Sequence, residues 1–254
     1  MIPNMTERAF RLMRGAPVQG CLVEFGVYQG KGLVWISRLS RKYMPEDPPI
    51  FGFDSFEGMP PTKSELASAL AQDWVRGTFG DTSLEAVQRR LQQEGSKAKL
   101  LKGIFAELLP LSEYGIDKVR FAHIDADIYE GYRDALRLLT PHLQIGSVLL
   151  FDESVPPTDA RYQSIRNHGQ HAVREWEQRT GFNLHLIRFE WTVALCVLVD
   201  DEYLRRHTEL IERLRKDTTV ESLRNLGRNI FGKTSDRAFN LVGRSWPGRF
   251  WRAR

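Results

Sequence analysis

The chain has 254 residues, 42% hydrophobic and 27% charged, the proportions of a soluble globular protein able to bury about three quarters of its extended surface. No window approaches the roughly 20 uninterrupted apolar residues of a membrane span, the N-terminus "MIPNMTERAFRLMRG" lacks the long apolar core of a signal peptide, and two cysteines, Cys21 and Cys196, cannot build a disulfide framework or a Cys-rich zinc site. One large cytoplasmic domain with two buried thiols is expected, and the net charge of +4 is concentrated at one end: 205–254 carries 13 Lys/Arg against 5 Asp/Glu, which leaves 1–204 at −4.

The first strand-like run, Cys21–Phe25, opens into "VEFGVYQGKG", where Glu24, Gly26, Gly30 and Gly32 precede a helix expected over 32–43. Glycines at this spacing let a turn close beneath a ligand, with helix N–H groups facing it; the plain alternative is a tight turn with no ligand. The segment is not G-x-G-x-x-G, and an acid two residues before the first glycine would meet a pyrophosphate with like charge. A cofactor carrying an ammonium and a sulfonium fits better. A second strand, Ile50–Phe53, delivers Asp54 where a carboxylate can accept ribose hydroxyls or, alternatively, cap the next turn. The polar stretch that follows, about 57–82, reads as a lid, with Trp74 and Phe79 as acceptor contacts or as packing onto the body.

A helix over 83–94 opens with a capping-box signature, Thr82 or Ser83 standing before Glu85 and Ala86. The third strand, Lys99–Lys102, runs into Gly103, Ile104 and Phe105, which border an adenine ring or begin a helix and fill core. The fourth, Val119–Ile124, and the fifth, Ser147–Phe151, flank a helix at 129–139 and end in Asp125, Asp127, Asp152 and Glu153. Four acids at one mouth repel each other unless a cation or shared protons intervene. Carboxylates without nearby Cys or His favour a hard ion, Mg²⁺ before Zn²⁺. His123, inside a strand, reads as a satisfied core residue, and His168 and His171 as solvated positions on a helix at 160–180 or, alternatively, as groups that reach the pocket. The last strands, Leu184–Phe189 and Val193–Val199, are too close for an intervening helix and form an antiparallel hairpin.

Five parallel strands plus this hairpin make a doubly wound, mostly parallel seven-stranded α/β sheet, the class I methyltransferase arrangement rather than an ordinary dinucleotide-binding Rossmann domain. The domain is expected to span 1–204. A charged amphipathic helix and an irregular basic end then form an extension, 205–254, suited to self-association or substrate capture; nucleic acid is not expected.

"VEFGVYQGKG", "IFGFDSFEGMP", "LLKGIFAELLP", "IDADIY" and "FDES", in this order, resemble the macrocin O-methyltransferase family, metal-dependent S-adenosylmethionine enzymes that methylate sugar hydroxyls on natural products. The resemblance covers about residues 5–200, and "FGFDSFEGMP" is its most specific part. It implies that Glu24, Gly26, Val27, Tyr28 and Gly30 hold the methionine end of the cofactor. Asp54 would take the ribose beside Ser55 and Phe56, and Gly103, Ile104 and Phe105 would lie near the adenine. It further implies Asp125, Asp152 and Glu153 as Mg²⁺ ligands, with Asp125 also at the cofactor and acting as general base. The chain departs from the family at Glu153-Ser154, where Asp-Tyr is usual, and at Gly32, where a small hydroxyl residue is usual.

The function implied is O-methyl transfer to a hydroxyl of a small, glycosylated metabolite, with Mg²⁺ chelating the acceptor and Asp125 removing its proton. Asp127 and Tyr129 would shape the loop beside it. The alternatives are a metal-independent methyltransferase or a non-catalytic S-adenosylmethionine-binding protein; a nicotinamide-dependent oxidoreductase lacks its glycine fingerprint.

Overall fold

A computed structural model describes residues 3–60, 76–152, 154, 169–190 and 192–216. Its sheet is organised by the period-two alternation of strand side chains. Along β4 (Val119–Ile124), Phe121 enters one core while Val119, Ala122 and Ile124 enter the other. In β5 (Leu143–Phe151), Val148 and Leu150 take the first side and Leu149 and Phe151 the second. Both faces of β1 (Cys21–Phe25) are buried throughout. Such strands need helices on both sides, as in a parallel sheet.

The first layer contains α1 (Pro3–Gly15), α2 (Lys31–Tyr43), α3 (Leu84–Gln93) and α6 (Asp201–Lys216). The second contains α4 (Tyr129–Leu139) and α5 (Gly169–Thr180). With β2 (Ile50–Asp54), β3 (Lys99–Lys102), β6 (Leu184–Glu190) and β7 (Val193–Leu198), the strand order is 3-2-1-4-5-7-6. β1 pairs in parallel with β2 and β4, and β5 pairs antiparallel with β7, Leu149 facing Cys196. The expected seven-stranded sheet with a terminal hairpin is present. Cys21 and Cys196 are free and buried, and no helix among the described residues is long and apolar enough to cross a membrane.

Four local differences from the sequence reading have physical causes. Helix α1 is not among the expected elements, yet Met5, Ala9, Leu12 and Met13 recur at helical spacing and are fully buried. β5 begins four residues earlier than expected, because Gly146 at φ +91° admits a bulge and Ser147 Oγ bridges Gln144 N–H to the Val119 carbonyl. At α3, Ser83 caps the Ala86 N–H at 3.2 Å, but the third helical position is Ala86, so no capping box closes. Finally, the expected domain boundary at 204/205 falls inside α6, whose Ile211 and Leu214 are buried in the first core; Arg8 also donates to the Leu214 carbonyl. The folded unit reaches at least Lys216, while the rest of the basic extension lies outside the described residues.

Glu177 on α5 shows what the second layer does to a carboxyl group. Burial pushes it up to about 7, against the lowering effect of the Leu184 N–H that it accepts. A carboxyl raised above its unfolded value holds its proton longer in the folded state. Its contribution is therefore present below the unfolded value and is lost as pH rises through about 7. Glu177→Gln keeps an acceptor for Leu184. It is expected to remove a loss on the order of 1–3 kcal/mol between about pH 5 and about pH 7.5, read from urea midpoints at both. An unchanged pH slope in the variant contradicts this.

Candidate active site

The carboxyl ends of β1, β2, β4 and β5 meet at one edge of the sheet. After β1 the chain turns through Gly26 at φ +88°, Tyr28 at φ 48° and Gly30 at φ +77°, and Gly30 then caps α2. A Cβ on Gly26 would lie 1.8 Å from the Asp125 carbonyl oxygen, so the ends of β1 and β4 are in direct backbone contact. Four of the five described non-glycine residues with positive φ belong to this edge: Tyr28, Phe56, Asp127, and Phe79, which packs edge-on to Tyr28 at 5.3 Å. Each such backbone costs on the order of 1–3 kcal/mol, and such strain concentrates at functional sites.

Asp54, at the end of β2, organises the turn. Its Oδ2 accepts from Val27 N–H at 2.7 Å and Tyr28 N–H at 2.8 Å, and its Oδ1 accepts from Phe56 N–H at 2.7 Å. A carboxylate offers about four lone-pair sites, so roughly one remains for a ligand hydroxyl rather than two. Ser55 Oγ donates to the Gly58 carbonyl at 2.9 Å, Met59 N–H donates to the Thr78 carbonyl and Gly77 N–H to the Met59 carbonyl. The two stems of the 57–82 insertion are thus joined; its middle, with Trp74, lies outside the described residues. Phe25 stacks on Phe53 at 4.8 Å and takes Phe105 edge-on at 5.2 Å, which fixes the loop after β3. Gly103 N–H donates to the Asp54 carbonyl, and Ile104 leaves its side chain partly exposed.

Below this rim lies a buried charged cluster. Register pairs Glu24 on β1 with His123 on β4, and His123 Nδ1 meets Glu24 Oε1 at 2.8 Å. Both residues are 1% exposed. Glu24 is therefore turned toward β4 rather than open to the glycine turn. On its other side His123 Nε2 stands 3.8 Å from Asp152 Oδ2, too far for a hydrogen bond, and has no such partner. One donor atom each from His123, Asp125 and Asp152 lie within 4.8 Å of one another. The expectation of an oxygen-only cluster without nearby His is corrected here. Two-residue periodicity points His123 and Asp125 to the same side of β4, and a sequence cannot display which neighbour faces them.

The charges perturb one another. Burial raises Glu24, partly offset by His123. Burial also favours neutral His123, but the carboxylates of Asp152, Glu24 and Asp125 outweigh it and hold the imidazole up at about 9. Burial pushes Asp125 up to about 6; His123 opposes this, and Asp152 and Glu24 reinforce it. Asp152 is held below the ordinary range, burial being outweighed by positive charge that includes His123. The Tyr132 hydroxyl donates to the Asp152 carbonyl and locks the loop after β5. The cluster can hold a cation and accept a proton.

Glu153 and His168 lie outside the described residues. Tyr129 bonds to Glu175 at 2.5 Å, between α4 and α5. A separate cavity of about 410 Å³, lined by Arg14, Arg41, Lys42 and Arg120 among others, opens where α1 and α2 end, away from this cluster.

Residues 4–194 match the family described as macrocin-O-methyltransferase (TylF). Over 141 residues the chain is 28% identical to 8-demethyl-8-(2,3-dimethoxy-alpha-L-rhamnosyl)-tetracenomycin-C 4'-O-methyltransferase of Streptomyces olivaceus, covering 54% of this chain and 53% of the relative. Over 147 residues it is 27% identical to demethyldecarbamoylnovobiocin O-methyltransferase of Streptomyces niveus, covering 55% and 54%. The chain thus spans about half the length of these curated relatives. The O-methyltransferase NovP has the same fold, with a TM-score of 0.63 at 21% identity over 78% of this chain and 81% of that one. The strand order, the acidic strand ends and the match over 4–194 agree: the chain belongs to the macrocin-O-methyltransferase (TylF) family.

Proposed function

We propose that this protein transfers a methyl group from S-adenosylmethionine to a hydroxyl of a glycosylated small molecule. The observation that carries the reading is the joining of the glycine turn to the carboxylate cluster, through the Gly26 contact with the Asp125 backbone. The contact supports a reading in which the turn cradles the cofactor beside a proton acceptor. The relatives' names, one of them a rhamnosyl 4'-O-methyltransferase, support a sugar hydroxyl as acceptor.

In the reaction the acceptor oxygen forms a bond to the methyl carbon as the carbon–sulfur bond breaks. The electron pair stays on sulfur, giving a neutral thioether, and the hydroxyl proton passes to Asp125. Burial and the neighbouring carboxylates make Asp125 a stronger proton acceptor than an ordinary aspartate. The turn Gly26–Gly30 aligns the methionine end, Asp54 orders that turn and accepts from the ribose, and Ile104 and Phe105 border the adenine. Asp125 and Asp152, with Glu153, would hold a divalent ion whose Lewis acidity eases loss of the hydroxyl proton. A metal-independent version has one observation in its favour: the His123 ring stands between two carboxylates, Nδ1 at 2.8 Å from Glu24 and Nε2 at 3.8 Å from Asp152.

S-adenosylhomocysteine at about 100 times its Kd is expected to raise the melting temperature by roughly 5–10 °C. Incubation with S-adenosylmethionine and a panel of glycosylated metabolites should add the mass of one methyl group to a member of the panel. Stabilisation by NAD and none by S-adenosylhomocysteine would overturn the proposal.

A further inference from the structure

We propose that the basic cavity beside Arg120 is a second ligand site, one that binds a monophosphate ester of a compact organic molecule. It lies apart from the methyl-transfer site and does not depend on that reading. Arg120 is the second residue of β4, and Asp125 follows the last residue of the same strand. Five steps of about 3.3 Å put roughly 16 Å of sheet between them.

Three observations carry the inference. The first is a gathering of cations that helix ends alone do not require. α1 ends close to Arg14, and α2 ends close to Arg41 and Lys42. Each helix C-terminus carries about half a negative charge and favours a basic residue there. Arg120 comes from the sheet and lines the same cavity. Of the four cations, Arg120 is matched by Glu46 and Lys42 by Glu7 at 2.8 Å, and the two helix ends together offset about one more. Roughly one positive charge is left over.

The second is the state of Arg120. Its side chain is 3% exposed, and NH1 donates to the Glu46 carboxylate, which is itself 42% exposed. A guanidinium has five N–H donors in a fixed fork, and Nε of Arg120 has no hydrogen-bond partner among the described residues. Burying a charge is costly unless it is paired and its donors are met. One partly exposed carboxylate meets only part of that demand. Arg41 donates to the Gly95 carbonyl at 3.1 Å, an uncharged acceptor, and Arg14 is exposed and makes no ion pair with a described residue.

The third is size and lining. About 410 Å³ falls within the range of small-molecule sites, roughly 300–1,000 Å³, and exceeds what a bare anion fills. Met13, Pro17, Met44 and Pro45 add apolar wall beside the cations, which suits an uncharged body with an anionic head. A phosphate ester brings a charge of about −1.5 to −2 and three acceptor oxygens, so one head can serve more than one guanidinium fork. A carboxylate brings less of both. The competing account is that these side chains only neutralise helix ends and hold α1, α2 and β4 together.

The test is calorimetric titration of the full chain with inorganic phosphate, glucose 1-phosphate and uridine monophosphate. An ionic strength of about 0.15 M screens exposed charges separated by more than about 8 Å. The esters are expected to saturate the protein with a Kd below about 1 mM, with or without S-adenosylhomocysteine, and phosphate alone to bind about tenfold more weakly. The tighter ester identifies the body. Arg14→Gln should weaken ester binding by about 3–10-fold and Arg120→Gln by about 10–100-fold. Glu46→Gln removes the carboxylate that competes for Arg120 and should tighten binding by about threefold or more, a gain that a merely structural pair does not predict. Affinity for S-adenosylhomocysteine should stay within about threefold throughout. No saturable ester binding up to about 5 mM, displacement of the ester by S-adenosylhomocysteine, or phosphate binding as tightly as the esters would each overturn the inference. Unchanged ester affinity in Arg14→Gln and Glu46→Gln would do the same. Those two substitutions alter exposed side chains, so the test stands even if Arg120→Gln fails to fold.

Discussion

Asp125→Asn is expected to lower kcat by about 10²–10⁴-fold, the range that general-base catalysis contributes, while S-adenosylhomocysteine affinity changes by no more than about threefold. The amide keeps the shape of the side chain and leaves the backbone contact with Gly26 untouched. It cannot take a proton. Single-turnover rates at saturating S-adenosylmethionine and metal, beside calorimetric affinities for S-adenosylhomocysteine, separate the chemical step from binding. A rate near wild type would remove Asp125 as the base. A large loss of cofactor affinity would instead mean that Asp125 works mainly by holding the turn after β1.

Gly26→Ala is expected to cost about 3–5 kcal/mol, lowering the melting temperature by roughly 6–20 °C. Two penalties act together there. The backbone at φ +88° is one that a side chain resists, and the new Cβ would meet the Asp125 carbonyl oxygen at 1.8 Å. Backbone cannot rotate away as a flexible side chain can, so the ends of β1 and β4 must separate. Gly181→Ala is the control, because that glycine has φ +70° but nothing within 4 Å of a built Cβ. It should cost only about 1 kcal/mol. Equal losses at the two positions would show that the contact between the strand ends is not tight. The two experiments bear on one another: Gly26 governs where Asp125 sits, and Asp125→Asn tests what it does there.

Much of the framework was legible in the chain. The apolar runs at 21–25 and 119–124 coincide with β1 and β4, because doubly covered parallel strands are apolar on both faces, while 99–102 coincides with β3, an edge strand with an exposed lysine at each end. The short gap before Val193 dictated a hairpin, and the acids after β4 and β5 marked the carboxyl edge of the strands, where open α/β sheets bind their ligands. Helix α1 had a readable apolar spacing as well, although it precedes the alternation of strand and helix that organised the rest. Its partner α6 is another matter. The burial of Ile211 and Leu214 depends on α1 lying against it, and no local pattern separates such a helix from a solvated one.

The sequence by itself determined the fold class, the family and the acidic edge of the sheet, since these follow from local periodicity and from short strings of adjacent residues. Only the tertiary structure decided what Glu24, Asp54 and His123 touch. Glu24 and His123 are 99 positions apart, and Asp54 reaches Val27 and Tyr28 across 27 and 26 positions. Those contacts are set by the register of neighbouring parallel strands, which packing of the helices on both faces fixes and which no single segment encodes. His123 reads as core from its own strand, and Glu24 reads as a cofactor ligand from its own turn. Paired across β1 and β4, they become one buried hydrogen-bonded unit aimed at Asp152.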